Sequence, residues 1–195
     1  MSTANVDVRF GAQGLHTVNT GATEAPKAEP GLKAITLNPS VMETPIYADN
    51  TVFYTATGTN SVECEVTVVS VSDEFKINYA GEIKTVNGGV ASVLGATNRK
   101  PFDMIFDSTG TKPRRILLRN CTVIGSIKHD YTTNTEGIEQ QDDVITVSIS
   151  GVPTADNKYR VWQEVYDINS EAAKELLKSV PAVPVIGTPA KSPEA

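Results

Sequence analysis

Aromatic side chains make up only 6% of the 195 residues, and cysteine is confined to Cys64 and Cys121. Two cysteines so far apart exclude a disulfide framework; two buried free thiols in a reducing compartment are expected. Basic residues are also short, 17 Lys and Arg against 23 Asp and Glu, for a net charge of −6. That balance argues against electrostatic gripping of a phosphate backbone, which basic surfaces perform. Long apolar runs are missing, so no stretch suits a bilayer span. The opening MSTANVDVRF has neither a basic n-region nor an apolar h-region, and no signal peptide is expected. A soluble protein made in a cytoplasm follows as the expectation.

Sequence motifs for chemistry are equally sparse. His16 and His129 belong to no metal-ligand spacing and read as isolated surface histidines. No GxGxxG opens a helix, and there is no Walker loop or GxSxG elbow. Cys121 and His129 lie eight residues apart, at about 3.3 Å per strand residue, too far along a strand for a nucleophile pair. EQQDD lacks the alternating acidic spacing of a calcium loop and reads as a solvated acidic loop. Lys112, Arg114 and Arg115 flank Pro113 and read as a hairpin tip, suited to a subunit contact or a solvated turn. A small hydrolase therefore finds no nucleophile, base or metal site in the sequence, and no enzyme activity or cofactor is expected.

What the chain does have is Val, Ile and Thr in alternating runs, the pattern of a mainly β protein with polar outer faces. Its length is enough to bury a core without staples. Residues 1–30 lack a sustained period and are expected to form an extended N-terminal arm. LKAITL and VMETPIY read as two strands separated by an Asn38-Pro39 turn, and Thr57-Gly58-Thr59-Asn60 as a loop. In YADNTVFY, Asp49-Asn50 reads as a turn between strands anchored by Tyr47 and Phe53. SVECEVTVV alternates most cleanly, with Val62, Cys64, Val66 and Val68 on one face and Glu63, Glu65 and Thr67 on the other.

The period then changes to that of a short helix. Ser72 is placed to cap it, Phe75 and Tyr79 share one face for packing on a sheet, and Gly81 ends it. Asn87-Gly88-Gly89 signals a tight hairpin. PFDMIFD alternates Phe102, Met104 and Phe106 against Asp103 and Asp107; Gly125 marks a bend in the strand region that follows. Residues 130–143 read as a long polar loop. VITVSISGV sets Ile145, Val147 and Ile149 against Thr146 and Ser148, and KYRVWQEVYD reads as the last strand, with Trp162 packed in the core or against a subunit. A C-terminal helix is expected over 169–180, capped by Asn169 or Ser170 and stopped by Pro181, followed by a Pro-rich disordered tail over 181–195.

The order GLKAITL, YADN, a Gly turn with an alternating strand, a helix closing at YAGE, NGGV and KPFDMIF resembles the phi13-type major tail proteins of long-tailed phages. The likeness covers residues 31–165, the tail tube β domain being drawn as 31–168. Its family-motif positions are Tyr47, Asp49, Gly81, Gly88, Gly89 and Pro101. The resemblance implies a β-sandwich or barrel subunit with a flanking helix. It implies rings of six subunits whose inner strands join into one barrel, with an arm and a long loop reaching the next ring. Implied partners are ring neighbours, stacked rings, and the tail terminator, tape measure and distal tail proteins. Phage DNA would pass through the lumen without specific binding, in a flexible virion tail assembled in the host bacterial cytoplasm. Lumen-facing candidates are Glu63, Glu65, Thr67, Thr146 and Ser148. The alternative reading is an immunoglobulin-like binding or adhesion module of a virion or cell surface.

Overall fold

The computed structural model describes residues 6–48, 51–93, 95, 98–131, 140–154 and 159–182; within 41–48 and 51–61 the backbone alone is described. Strands dominate it. They are β1 (Arg9–Asn19), β2 (Lys27–Ala28), β3 (Leu32–Ala48), β4 (Thr51–Val68), β5 (Ile83–Lys84), β6 (Val90–Ala91) and β7 (Phe102–Gly110). They continue with β8 (Arg114–Val123), β9 (Lys128–His129), β10 (Asp143–Ile149), β11 (Val152–Pro153), β12 (Tyr159–Arg160) and β13 (Trp162–Tyr166). Among the described residues, nine strands form one antiparallel sheet ordered β2-β1-β7-β8-β10-β4-β3, with β13 on β8 and β9 on β10. The protein is mainly β, as its alternating runs require.

The sheet rolls around an apolar core. Val62, Cys64, Val66 and Val68 of β4, Ile145, Val147 and Ile149 of β10, and Phe102, Met104 and Phe106 of β7 all point into it. The roll stops short of closure. β1 and β3 face each other across a cleft of about 450 Å³ lined by Arg9, Ala12, Lys33, Ile35, Leu37 and Phe106.

The expected short helix is present as α1 (Asp73–Phe75) continuing into a π-helical turn, Lys76–Ala80. Ser72 caps it, its hydroxyl accepting from the Phe75 N–H at 3.1 Å. Gly81 closes it at φ 78°, a conformation that costs other residues steric energy. Phe75 and Tyr79 meet edge-on with ring centres 5.2 Å apart, and Phe102 completes the cluster, 5.4 Å from Phe75 and 4.5 Å from Tyr79. Ser72→Ala is expected to cost about 1 kcal/mol, read as a lower midpoint in urea.

Several expectations are corrected by the long-range pairing. Residues 9–19 are no arm: β1 pairs along β7, and Leu15 and Val18 are buried. Asn38-Pro39 is no turn, because β3 runs straight through it with Asn38 opposite Glu63 and Pro39 opposite Val62. β3 is an edge strand, where a proline's missing N–H faces outward at no loss. Residues 57–60 are no loop either; within β4, residues 57–59 pair with 41–43, and Asn60 stands at a register shift between Ser40 and Val41. The bulge of β8 falls between Leu118 and Cys121, with Asn120 at φ 54°, whereas Gly125, φ 71°, lies beyond the end of the strand. It changes the alternation so that Ile116, Leu118, Cys121 and Val123 all face the same core.

The terminal region also departs from expectation. The last strand is two pieces, β12 against β11 and β13 against β8. α2 (Glu171–Leu176) is shorter than 169–180. Ser170 is its cap, accepting from the Ala173 N–H at 3.2 Å, and the helix ends at Leu177 before Pro181 is reached. Residues 183–195 lie outside the described residues. α2 packs on the outer face of the sheet, where Leu176 and Val180 meet Val18, Ile105 and Leu117. The Asp103 face of β7 is therefore a second buried face and not a water-facing one.

Candidate functional site

Opposed residues of an antiparallel pair lie on the same face of the sheet, and register brings the five lumen candidates together. One row across the sheet is Thr122, Ser148, Glu63, Asn38. The next is Thr146, Glu65, Thr36, and a third is Val144, Thr67, Ala34. Glu63 and Glu65 are exposed; Thr67, Thr146, Ser148 and Thr122 are half-buried. Behind this surface the alternate residues of β4 and β10 are core. A rigid, four-strand polar face results, carried by β3, β4, β10 and the end of β8. Lys128, paired to Val144 through β9, stands at its margin.

The outer margin of this face is free. β3 pairs with β4 along its whole length and ends the strand order, so its other edge carries unpaired backbone groups among the described residues. Beyond Ser40 and Ser61 the β3–β4 pair leaves β10 and continues as a two-stranded ribbon to Ala48 and Thr51. Eight residues of strand extend about 26 Å. Tyr47 lies in the ribbon, opposite Val52, while Asp49 lies outside the described residues.

The other motif residues are structural supports at a distance along the chain. Gly88 turns at φ 87°, with the Thr85 N–H bonded to the Gly89 carbonyl at 2.8 Å and the Gly89 N–H bonded to Thr85 Oγ1 at 2.9 Å. This turn joins β5 to β6. The Pro101 carbonyl accepts from the Thr20 N–H at 3.2 Å, fixing the start of β7 beside the end of β1.

Three arginines on β8 form a constellation that alternation alone missed. Arg114 and Arg115 are buried rather than solvated at a hairpin tip. Arg115 grips Asp107 with two bonds, 2.7 and 2.8 Å, and donates to the Ala173 carbonyl of α2 at 2.6 Å. Arg114 pairs with Asp7 and with Glu164, the latter at 2.6 Å, and lies 5.1 Å from the centre of the Tyr166 ring. Arg119 and Asp103 are both 1% exposed in their side chains, with Nε and Oδ2 3.2 Å apart. That contact is ionic and too poorly aligned to be a hydrogen bond. The signal was there: two Asp and two Arg at matching offsets on either side of a short connection.

The groups with nucleophilic potential are held inert by burial. Cys64 and Cys121 are buried free thiols. Burial pushes the Cys64 thiol up to about 12, and Cys121 well above its ordinary value. His129 Nδ1 sits 2.6 Å from Asp143 Oδ1, and Asp143 Oδ2 also accepts the Val71 N–H at 2.9 Å. Trp162 is 43% exposed, so it is not a core residue. Among the described residues no helix is long and apolar enough to cross a membrane. No protein-family model matches the chain, and a search of curated proteins finds no match.

Proposed function

We propose that the protein is a structural, ring-forming subunit of a phage tail tube, without catalysis. The observation that carries this reading is the polar face of β3, β4, β10 and β8, backed by core and bounded by the free edge of β3. A free edge is a liability in a monomer and a joint in an assembly. In the proposed ring the edge of β3 pairs with the neighbouring subunit, and the polar faces line the lumen. Four strands from each of six subunits, at about 4.8 Å spacing and tilted about 40° to the axis, give a barrel about 48 Å across between backbones. Glu63 and Glu65 would repel phosphates, so that DNA slides without sticking. The β3–β4 ribbon, and not the N-terminal segment, is the element that reaches an adjacent ring.

Negative-stain microscopy of concentrated protein tests the reading: rings or tubes about 100 Å across are expected. In a phage carrying Glu63→Lys with Glu65→Lys, tubes should still assemble while infectivity falls about tenfold or more. Normal infectivity would remove the electrostatic part of the reading. A second reading, a virion or cell-surface binding module, draws on the exposed Tyr131, Tyr159 and Trp162. A strictly monomeric protein that binds glycans would replace the tube by that module.

A further inference from the structure

The two ends of the sheet order differ. β3 is bare at one end, whereas at the other β2 covers the edge of β1, with His16 opposite Ala28 and Thr17 opposite Lys27. The cover extends to Glu29, whose N–H donates to the Leu15 carbonyl at 2.8 Å. Residues 20–31 thus form a strap between the end of β1 and the start of β3. Lys27 pairs with Glu74 of α1 and ties the strap down from outside.

Beneath the strap the charges do not balance. Glu24, Lys27, Glu29 and Glu74, with Thr17 and Tyr79, line a space of about 30 Å³, room for a water or two. Three carboxylates there share one ammonium. Glu74 is taken by Lys27, and Glu24 accepts from Asn19 Nδ2 at 3.1 Å. Glu29 is half-buried. It faces Thr17 of β1, whose hydroxyl lies 3.5 Å from Oε1, and also Lys27, Glu74 and the Ser72 hydroxyl that caps α1. The Tyr79 phenol, pushed up to about 12 by burial, stays neutral. On the helix side Asp73 and Lys76 pair with each other at 3.8 Å. His16 is the titratable group of β1 beside the strap. It alternates to the opposite face from Thr17, and its Nδ1 is 2.8 Å from the Gly14 carbonyl.

We propose that Glu29 is a proton-operated latch: the strap is closed over β1 when its carboxyl is neutral and loosens when it ionises. Burial pushes the Glu29 carboxyl above its ordinary 4.5, and Glu74 adds to the rise, against the two hydroxyls and Lys27. With the strap open the carboxyl is in water and returns toward its ordinary value, so the closed form holds the proton more tightly. Closure is therefore fully favoured below the ordinary value, and part of it is lost as pH rises through the raised one. Opening bares the edge of β1 around Leu15 and Thr17, so that a second strand edge becomes able to pair with another chain. The latch rests on neither the tube nor the adhesion reading.

Hydrogen exchange of the full chain from about pH 4.5 to about pH 7.5, corrected for intrinsic rates, tests the latch. Protection of the Glu29 N–H is expected to fall about threefold or more over that range, relative to the slowest amides of β7 and β8. In Glu29→Gln, which cannot ionise, the amide at the same position should hold its protection throughout. Protection independent of pH in the parent chain would overturn the proposal. So would a fall retained in the variant, which would assign the effect to His16. Carbon-13 NMR of the Glu29 carboxyl reads the group without any substitution. A midpoint above the ordinary 4.5 is expected, and one at or below it would overturn the latch.

Discussion

Arg119→Leu is expected to destabilise the protein by about 3–5 kcal/mol, because it leaves the carboxylate of Asp103 buried without its cation. Asp103 is fully enclosed. Its Oδ1 accepts from Thr20 Oγ1 at 2.9 Å and from the Asn120 N–H at 2.8 Å, while Oδ2 faces Arg119. Those two hydrogen bonds remain in the variant, but they do not neutralise a charge held away from water. A domain of this size is stable by about 5–15 kcal/mol, so the loss is a large share of the whole. Adding Asp103→Leu to the same chain should recover part of the loss, since an apolar pair can replace a buried ion pair. Urea denaturation of the single and double variants measures both. A single variant within about 1 kcal/mol of the parent would mean that water reaches the pair.

Removing residues 1–20 is expected to abolish cooperative folding. An arm could be cut without harm to the domain that bears it; β1 cannot. It lies between β2 and β7, and its loss exposes the hydrogen-bonding edge of β7. It also removes Leu15 from the inner core and Val18 from the layer under α2. Burial of each side chain is worth about 1.5–3 kcal/mol, before the lost backbone pairing is considered. Circular dichroism during heating should show a broad, non-cooperative change in the truncated chain, against a sharp transition in the full one. A sharp transition retained after truncation would return these residues to the status of an arm.

Both results concern features that the alternation of a single strand does not reveal. The segment over residues 9–19 has a bulge at Arg9–Gly11 and another at Gln13–His16. Each bulge breaks the alternation by which a strand is recognised, so the segment looked unpatterned. Asp103 and Asp107 obeyed the alternation and seemed to face water. They face α2 instead, and their partners Arg119 and Arg115 come from the adjoining strand. Where the pattern was regular, it was legible: the inward set Val62, Cys64, Val66, Val68 and the outward set Glu63, Glu65, Thr67 hold in the fold. The same is true of Ile145, Val147 and Ile149 with Thr146 and Ser148, and of Ser72, Phe75, Tyr79 and Gly81 around the short helix.

The candidate site divides in the same way. That Glu63 and Thr146 each lie on the polar side of a strand follows from a period of two along one segment. That Ser148 stands opposite Glu63, and Thr146 opposite Glu65, follows only from pairing across about 80 residues of chain. By itself, then, the sequence determined the strand class, the polar and apolar side of each regular strand, and the capped helix, because these arise from neighbours within a few residues. Tertiary structure alone decided which strands share a sheet, which polar side meets solvent and which meets α2, and where β3 leaves an edge open. Those outcomes depend on what packs opposite each face, and a local pattern carries no record of its distant partner.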